Sequence, residues 1–328
     1  MTTVAYVFPG QGSQAVGMGR ALAAGSPAAA AVFAAADAAL GEPISTLAWD
    51  GPEERLNLTE NAQPALLATS IAYLAALRER LGDPEMAEGS DEAATILRPR
   101  FMAGHSMGQY SALVAADVVS LADGLRLVRE RGTRMQASGA GREGAMAAVL
   151  GLPEEAIPEL IARASSHGTF NVANRNAPGQ VVVSGERPAI EAAAAIAKEL
   201  GAKRAIVLPV SVAAHSPLMA EAAAGMRAVL ADVTFSDPTV PLLANADAHA
   251  LATGEACRAE LVEHLTTGVD WVNAIETMTA AGVDMFIEVG PGKVLTNLIK
   301  RIAPDAAAIA LDEPAAPDGL ALPFAVPA

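Results

Sequence analysis

Ala103-Gly104-His105-Ser106-Met107-Gly108-Gln109-Tyr110 is the stretch from which the rest of the chain is read. It follows a short apolar run, Ile96, Leu97, Phe101 and Met102, and opens an apolar, helix-like segment from Tyr110 to Val119. Gly-x-Ser-x-Gly between a strand and a helix is the pattern of a nucleophile elbow. So tight a turn leaves no room for a side chain at the glycines, and it lifts the serine hydroxyl above the sheet at the positive end of a helix. The bland alternative is a glycine turn whose serine only caps the helix. A nucleophile needs a base, an oxyanion site and a reason for an acyl group, all from elsewhere in the chain.

Composition sets the frame. A chain of 328 residues can bury a full core and is long enough for two domains. With 52% hydrophobic and 18% charged residues it reads as globular. No window of about 20 uninterrupted apolar residues occurs and no basic flank precedes the first apolar run, so a soluble, cytoplasmic chain without a membrane partner is expected. The formal charge of −15 argues against nucleic acid as a partner, while leaving room for a local basic cleft. A single cysteine, Cys257, excludes an intrachain disulfide and a multi-cysteine metal site; it reads as a small buried hydrophobe. No metal is expected.

Thr3 to Phe8 is a near-continuous apolar run suited to a buried parallel strand, ended by Pro9-Gly10-Gln11-Gly12-Ser13-Gln14. Gly10-x-Gly12-x-x-Ala15 loosely matches a dinucleotide fingerprint, but an alanine-rich helix (Ala23 to Ala39) stands where that motif needs a second strand ending in an acid. The glycine turn can equally aim backbone N–H groups at a developing anion. Gln63 to Leu81 has amphipathic helical spacing, and Asp83 to Glu92 reads as a solvated acidic loop. Ser120-Leu121-Ala122-Asp123 resembles a capping box at the head of a helix running to about Gln136. On that helix Arg131 projects between Leu127 and Met135, at or inside the apolar stripe. An arginine there needs an anion: either a carboxylate of the protein in a structural salt bridge, or that of an anionic substrate.

Gly144 to Pro209 has the order βαββαβ of a ferredoxin-like unit, bracketed on both sides by elbow-fold sequence and so read as an insertion. Asn174 to Gln180 is expected as an exposed loop joining its two middle strands, with Asn174 and Asn176 serving turn chemistry. The histidines are His105, His167, His215, His249 and His264. His215 stands at a strand-to-helix junction, where a side chain can project into a cleft, and is the favoured base. His167 and His249 lie in polar turns. His105 abuts the serine but should face the other way. No acid stands on a late strand end between Ser106 and His215, so either a glutamate or a backbone carbonyl orients the base. Asp284 to Val289 is a further strand, and the proline- and alanine-rich tail 313–328 is expected to be poorly ordered.

The chain from about residue 3 to 312 resembles the malonyl-CoA:acyl-carrier-protein transacylases and the related acyltransferase domains of fatty-acid and polyketide synthases. The resemblance rests on FPGQGSQ (Phe8–Gln14), TENAQPA (Thr59–Ala65), GHSMGQYSAL (Gly104–Leu113), the Arg131 helix, NAPGQVVVSG (Asn176–Gly185), PVSVAAH (Pro209–His215) and EVGPGKVL (Glu288–Leu295). It implies an α/β fold: an α/β-hydrolase-like catalytic domain (1–137 and 209–312) and a ferredoxin-like small domain (138–208). It also implies ping-pong transfer of malonyl from malonyl-CoA to the phosphopantetheine thiol of an acyl carrier protein, without a cofactor. Ser106 is then the nucleophile and His215 its base. The N–H groups of Gln11 and Met107 form the oxyanion hole, and Arg131 holds the malonyl carboxylate. The carbonyl that orients the base falls at His264, where the family usually has glutamine, so His264 is a supporting residue with His105, Asn174 and Asn176. Small residues at Ala213 and Ala214 leave room for a substituted malonyl extender, and a serine hydrolase on the same elbow is the nearest rival. Lys203 and Arg204, with Lys300 and Arg301, are candidates for carrier docking.

Overall fold

In the computed structural model residues 2–82, 92–138, 144–208 and 212–312 are described. The apolar run at the start forms strand β1 (Val4–Phe8), every residue of it buried. The remaining strands are β2 (Phe101–Gly104), β3 (Gly144–Leu150), β4 (Phe170–Ala177), β5 (Gln180–Glu186), β6 (Arg204–Val207), β7 (Leu242–Leu243), β8 (Ala250–Leu251), β9 (Val269–Asp270), β10 (Met285–Glu288) and β11 (Ala307–Ala310). Among the described residues they make two sheets. The first has the order β11-β10-β1-β2-β7-β8, parallel except for the β7–β8 pair. Its central strand is buried from both sides: Val4, Tyr6 and Phe8 face one core, and Ala5 and Val7 the other. That double burial explains why the run is apolar throughout rather than alternating.

The second sheet has the order β6-β3-β5-β4-β9. Strands β3 to β6 pair antiparallel, and helices Ile157–Ala164 and Arg187–Glu199 cover one face through Leu160, Ala164, Ile190 and Ala193. The fold is thus α/β with mixed sheets. The outermost strand was not expected: β9 comes from the later part of the chain and pairs parallel with β4 through Asn174↔Val269.

Three expectations change. Ile96 and Leu97 end a helix (Glu92–Leu97) rather than leading into β2. The strand-like run Phe170–Arg175 continues as strand to Ala177, and the loop expected over Asn174 to Gln180 narrows to a turn at Pro178-Gly179, because β5 and β9 satisfy the backbone from both sides. The elbow helix covers Gly108–Ala115 and stops before Asp117, whose φ is 60°. The acidic stretch 83–91 and the tail 313–328 lie outside the described residues, as do 139–143 and 209–211.

The helix Leu121–Ser138 starts as its capping box indicates: the Asp123 N–H donates to Ser120 Oγ (3.1 Å), and the Ser120 hydroxyl donates to Asp123 Oδ2 (2.7 Å). It crosses the buried helix Thr59–Leu81 at Gly132, where an added Cβ would meet Glu60 Cα and the Thr59 carbonyl oxygen at 2.6 Å. Pro64 has no N–H to give the carbonyl of Glu60, four residues back, and that oxygen accepts from Arg129 Nη1 instead (2.6 Å). This crossing brings Arg131 against Gln63. Gly132→Ala forces the two helices apart and should lower the urea-unfolding free energy by about 1–3 kcal/mol; an unchanged midpoint contradicts the assigned contact.

Candidate active site

Both elbow glycines are dictated by space. A Cβ on Gly104 would lie 2.0 Å from the Gly108 carbonyl carbon, and one on Gly108 would lie 2.2 Å from the Phe8 oxygen. Ser106 between them has φ 53°, the left-handed region that non-glycine residues rarely adopt. The turn is held by Gln109, which the sequence marks only as a departure from the family's usual glutamate, and by Asn245 and Glu260, which it does not mark. Buried Gln109 accepts from the Gly104 N–H (3.1 Å) and donates to the Leu243 carbonyl (3.0 Å). The Ser106 N–H donates to Asn245 Oδ1 (2.8 Å), and the Asn245 N–H to buried Glu260 Oε1 (2.7 Å). The one hint of Asn245 in the sequence is its place just after the apolar residues of a short strand.

His215, also at positive φ (58°), reaches Ser106 from the other side: its Nε2 lies 2.8 Å from Ser106 Oγ. Its Nδ1 lies 2.7 Å from the His264 carbonyl oxygen, which can only accept. Nδ1 therefore carries the proton, and the Nε2 lone pair faces the hydroxyl. Of the two ways of orienting the base left open above, the backbone carbonyl is the one present. Asn171 of β4 donates to the His215 carbonyl (2.6 Å), tying the base to the second sheet. Burial first, and then the charge of Arg131, push the His215 imidazole down to about 3. It is neutral throughout the ordinary pH range.

Arg131 is 1% exposed. Its Nη1 donates to Gln63 Oε1 (2.9 Å), and its Nη2 lies 3.1 Å from Ser106 Oγ and 3.3 Å from His264 Nε2. The guanidinium carbon stands 5.8 Å from the Tyr110 ring centroid. Its buried Nε has no hydrogen-bond partner among the described residues. Among the described residues no carboxylate pairs with this cation, which removes the internal salt bridge as its explanation. Burial holds its pKa below the ordinary arginine value, yet a guanidinium remains charged at neutral pH.

The other residues singled out above divide. His105 faces away from the hydroxyl, as expected, with Nε2 2.9 Å from Asn176 Oδ1 and its ring edge on Trp271. Asn176 thus carries a specific contact and not turn chemistry. Asn174 is buried in β4, and among the described residues its side chain makes no hydrogen bond to the cluster. Gln11 sits in the turn after β1 with Nε2 3.3 Å from Thr59 Oγ1, and Met107 precedes the first turn of the elbow helix. Among the described residues, no protein acceptor meets the backbone N–H of either. Lys203 and Arg204 are exposed at the start of the edge strand β6. Lys300 is exposed, whereas Arg301 is engaged, donating to the Pro178 carbonyl (2.9 Å) and to Gln180 Oε1. Cys257 is buried, and His167 and His249 are exposed. Among the described residues no group of three or more His, Cys, Asp or Glu is placed to hold a metal ion, and no helix is long and apolar enough to cross a membrane.

A serine on an elbow, an imidazole on its hydroxyl and a buried cation beside both define the chemistry of acyl transfer. The acyl transferase domain family matches residues 5–312, and the chain belongs to it as an acyltransferase enzyme. Within that family it is 45% identical over 316 residues to the malonyl CoA-acyl carrier protein transacylase of Escherichia coli K12 (96% of this chain, 98% of the relative). It is 41% identical over 315 residues to the Bacillus subtilis transacylase (96% and 95%). Among solved structures it is similar to the acyl carrier protein S-malonyltransferase of Vibrio cholerae (41% identity, TM-score 0.87, 94% and 96% covered). It is also similar to a malonyl-transacylase solved with its type II PKS acyl-carrier protein (39%, TM-score 0.85, 94% of each).

The electrostatics of the site make a signed prediction. A depressed imidazole pKa keeps His215 a free base until the pH falls close to that value. Removing the Arg131 charge removes one of the causes of the depression, so the pKa rises and the acid limb moves to higher pH. The rate of Ser106 labelling by a fluorophosphonate should therefore stay flat from about pH 8 down to about pH 5 in the native protein, and begin to fall at higher pH in Arg131→Leu. Coincident profiles contradict the coupling.

Proposed function

We infer that this chain transfers a malonyl group from malonyl-CoA to the phosphopantetheine thiol of an acyl carrier protein through a malonyl-serine intermediate. The observation that carries the reading is a buried guanidinium, paired with no carboxylate among the described residues, 3.1 Å from the hydroxyl of the elbow serine. Such a cation selects an acyl group that ends in an acid, and its planar fork suits a bidentate pair.

Ser106 Oγ attacks the thioester carbonyl while its proton passes to His215 Nε2. The N–H groups of Gln11 and Met107 receive the oxyanion. Collapse breaks the C–S bond, and the departing CoA thiolate takes the proton from His215. The carrier's thiol then gives its proton to His215 and attacks the malonyl-serine ester; Ser106 leaves and recovers the proton. The His264 carbonyl keeps the imidazole in one tautomer throughout. The chemistry uses a hydroxyl, an imidazole, a guanidinium and two backbone N–H groups, and calls for no cofactor.

The same reading divides the molecule into a hydrolase-like part (1–137 and 209–312) bearing the elbow and a ferredoxin-like part (138–208). The parallel order around β1 supports the first, and the β6-β3-β5-β4 order of the βαββαβ unit supports the second. His105 and Asn176 join the two beside the nucleophile. A substituted malonyl extender is the second reading, favoured by the small Ala213 and Ala214 before the base. Lys203 and Arg204 are proposed to dock the carrier, being exposed cations on an otherwise acidic protein.

Incubation with malonyl-CoA should add a malonyl mass to Ser106 and to no other residue, with none on Ser106→Ala; free malonate without an adduct points to the hydrolase instead. Arg131→Ala should lower kcat/KM for malonyl-CoA by about a hundredfold or more and abolish the preference over acetyl-CoA. A panel of malonyl, methylmalonyl and ethylmalonyl thioesters decides the extender. Charge reversal at Lys203 and Arg204 should raise KM for the carrier about threefold or more without changing KM for malonyl-CoA; an unchanged carrier KM removes the patch.

A further inference from the structure

His264 meets the site through two different groups. Its backbone carbonyl takes the Nδ1 proton of His215, as described, and this contact is indifferent to the side chain at position 264. The imidazole itself is fully buried and turns to a different partner: Nε2 lies 3.3 Å from Arg131 Nη2. Its other nitrogen, Nδ1, lies 3.0 Å from the Glu260 carbonyl one turn earlier in the helix Gly254–Thr267. A carbonyl oxygen can only accept, so Nδ1 bears the hydrogen and Nε2 presents a lone pair to the guanidinium. The arrangement is consistent from both ends, because an arginine N–H can only donate.

From this geometry we propose that the His264 imidazole is a positioning residue for the carboxylate clamp, fixing the rotation of Arg131 so that the guanidinium fork faces the acyl pocket. The proposal rests on the reading of Arg131 given above and deepens it. The guanidinium is held by three neutral acceptors, Gln63 Oε1 on Nη1 and, on Nη2, Ser106 Oγ and His264 Nε2; only Gln63 and His264 are left when Ser106 is acylated. Neutral acceptors aim an arginine without neutralising it, so the full charge is kept for the substrate. A carboxylate in either position would compete with the malonyl group. The packing leaves the imidazole little freedom, with the Tyr110 ring edge-on at 6.4 Å and the His215 ring at 5.9 Å between centroids. Glu260 Oε1 stands 3.8 Å from the same Nδ1 and is itself occupied by the Asn245 N–H, so the backbone carbonyl is the nearer acceptor. Burial and the neighbouring Arg131 charge hold the imidazole well below the usual histidine pKa, in keeping with the lone pair the contact needs.

The test compares His264→Leu, which keeps the backbone carbonyl and removes the acceptor, with His264→Gln, whose amide oxygen can replace it. Single-turnover acylation of Ser106 is followed with malonyl-CoA and with acetyl-CoA, which lacks the carboxylate. His264→Leu should lower the malonyl-to-acetyl ratio of kcat/KM about tenfold, mainly through KM for malonyl-CoA, and His264→Gln should recover most of it. An equal loss on both substrates, or an unchanged ratio, overturns the proposal. Failure of the native enzyme to form a malonyl adduct overturns the functional reading instead, so the two failures are distinct. A measurement on the native protein does not depend on the variants folding: 15N-histidine NMR at about pH 7 should show His264 as the Nδ1–H tautomer, and the Nε2–H tautomer refutes the contact.

Discussion

A cation removed from water, with no counter-charge beside it among the described residues, is the constraint around which this molecule is arranged. Arg131 cannot shed its proton at neutral pH, and burial makes an uncompensated charge costly. The fold surrounds it with dipoles and a ring face: the amide of Gln63, the imidazole of His264, the hydroxyl of Ser106 and the face of Tyr110. None of these cancels the charge. In the proposed function the site is completed by a ligand that brings an acid, and a substrate without one leaves the cation as it was.

The same charge shapes the base. A base at His215 needs to be neutral to accept a proton, and burial first, then the adjacent guanidinium, keep the imidazole so. In the proposed reaction the substrate's carboxylate pairs with Arg131, and that repulsion is reduced at the moment the imidazole must become charged. Binding the correct acyl group thus lowers the barrier to the step that follows, a differential effect that a non-acidic acyl group cannot produce. A carbonyl in place of the usual aspartate fits this balance, since it fixes the tautomer without adding another charge to a crowded site. Ser106 and His215 both sit in left-handed backbone conformations, and Asn245 and Asn171 hold them there from the two sheets.

Much of this could be read from the chain alone because it is local. The elbow glycines, the capping box at Ser120, the apolar β1 and the βαββαβ order are patterns over a few residues, and each formed as its spacing indicates. Arg131 stood out for a related reason: the helical period placed a cation in an apolar stripe. What the sequence withheld is contact between distant segments. Nothing around Val269 announces that it will extend the second sheet, and Asn174 to Ala177 looked like loop because its polar residues find partners only across β5 and β9. Gly132 is silent until the helix beneath it is known. Gln109, Asn171 and Asn245 are ordinary polar residues by composition and become structural only when a buried turn or strand end supplies their partners.

The pairing of Arg131 with the acyl carboxylate is tested most directly by a crystal structure of the enzyme with Ser106 carrying the malonyl group. The free carboxylate of that group should lie in bidentate contact with the Arg131 guanidinium at about 2.8 Å, with Gln63 and His264 still bound to the same two nitrogens and the ester carbonyl oxygen on the N–H groups of Gln11 and Met107. A malonyl carboxylate turned to solvent, or seated on any other cation, contradicts it.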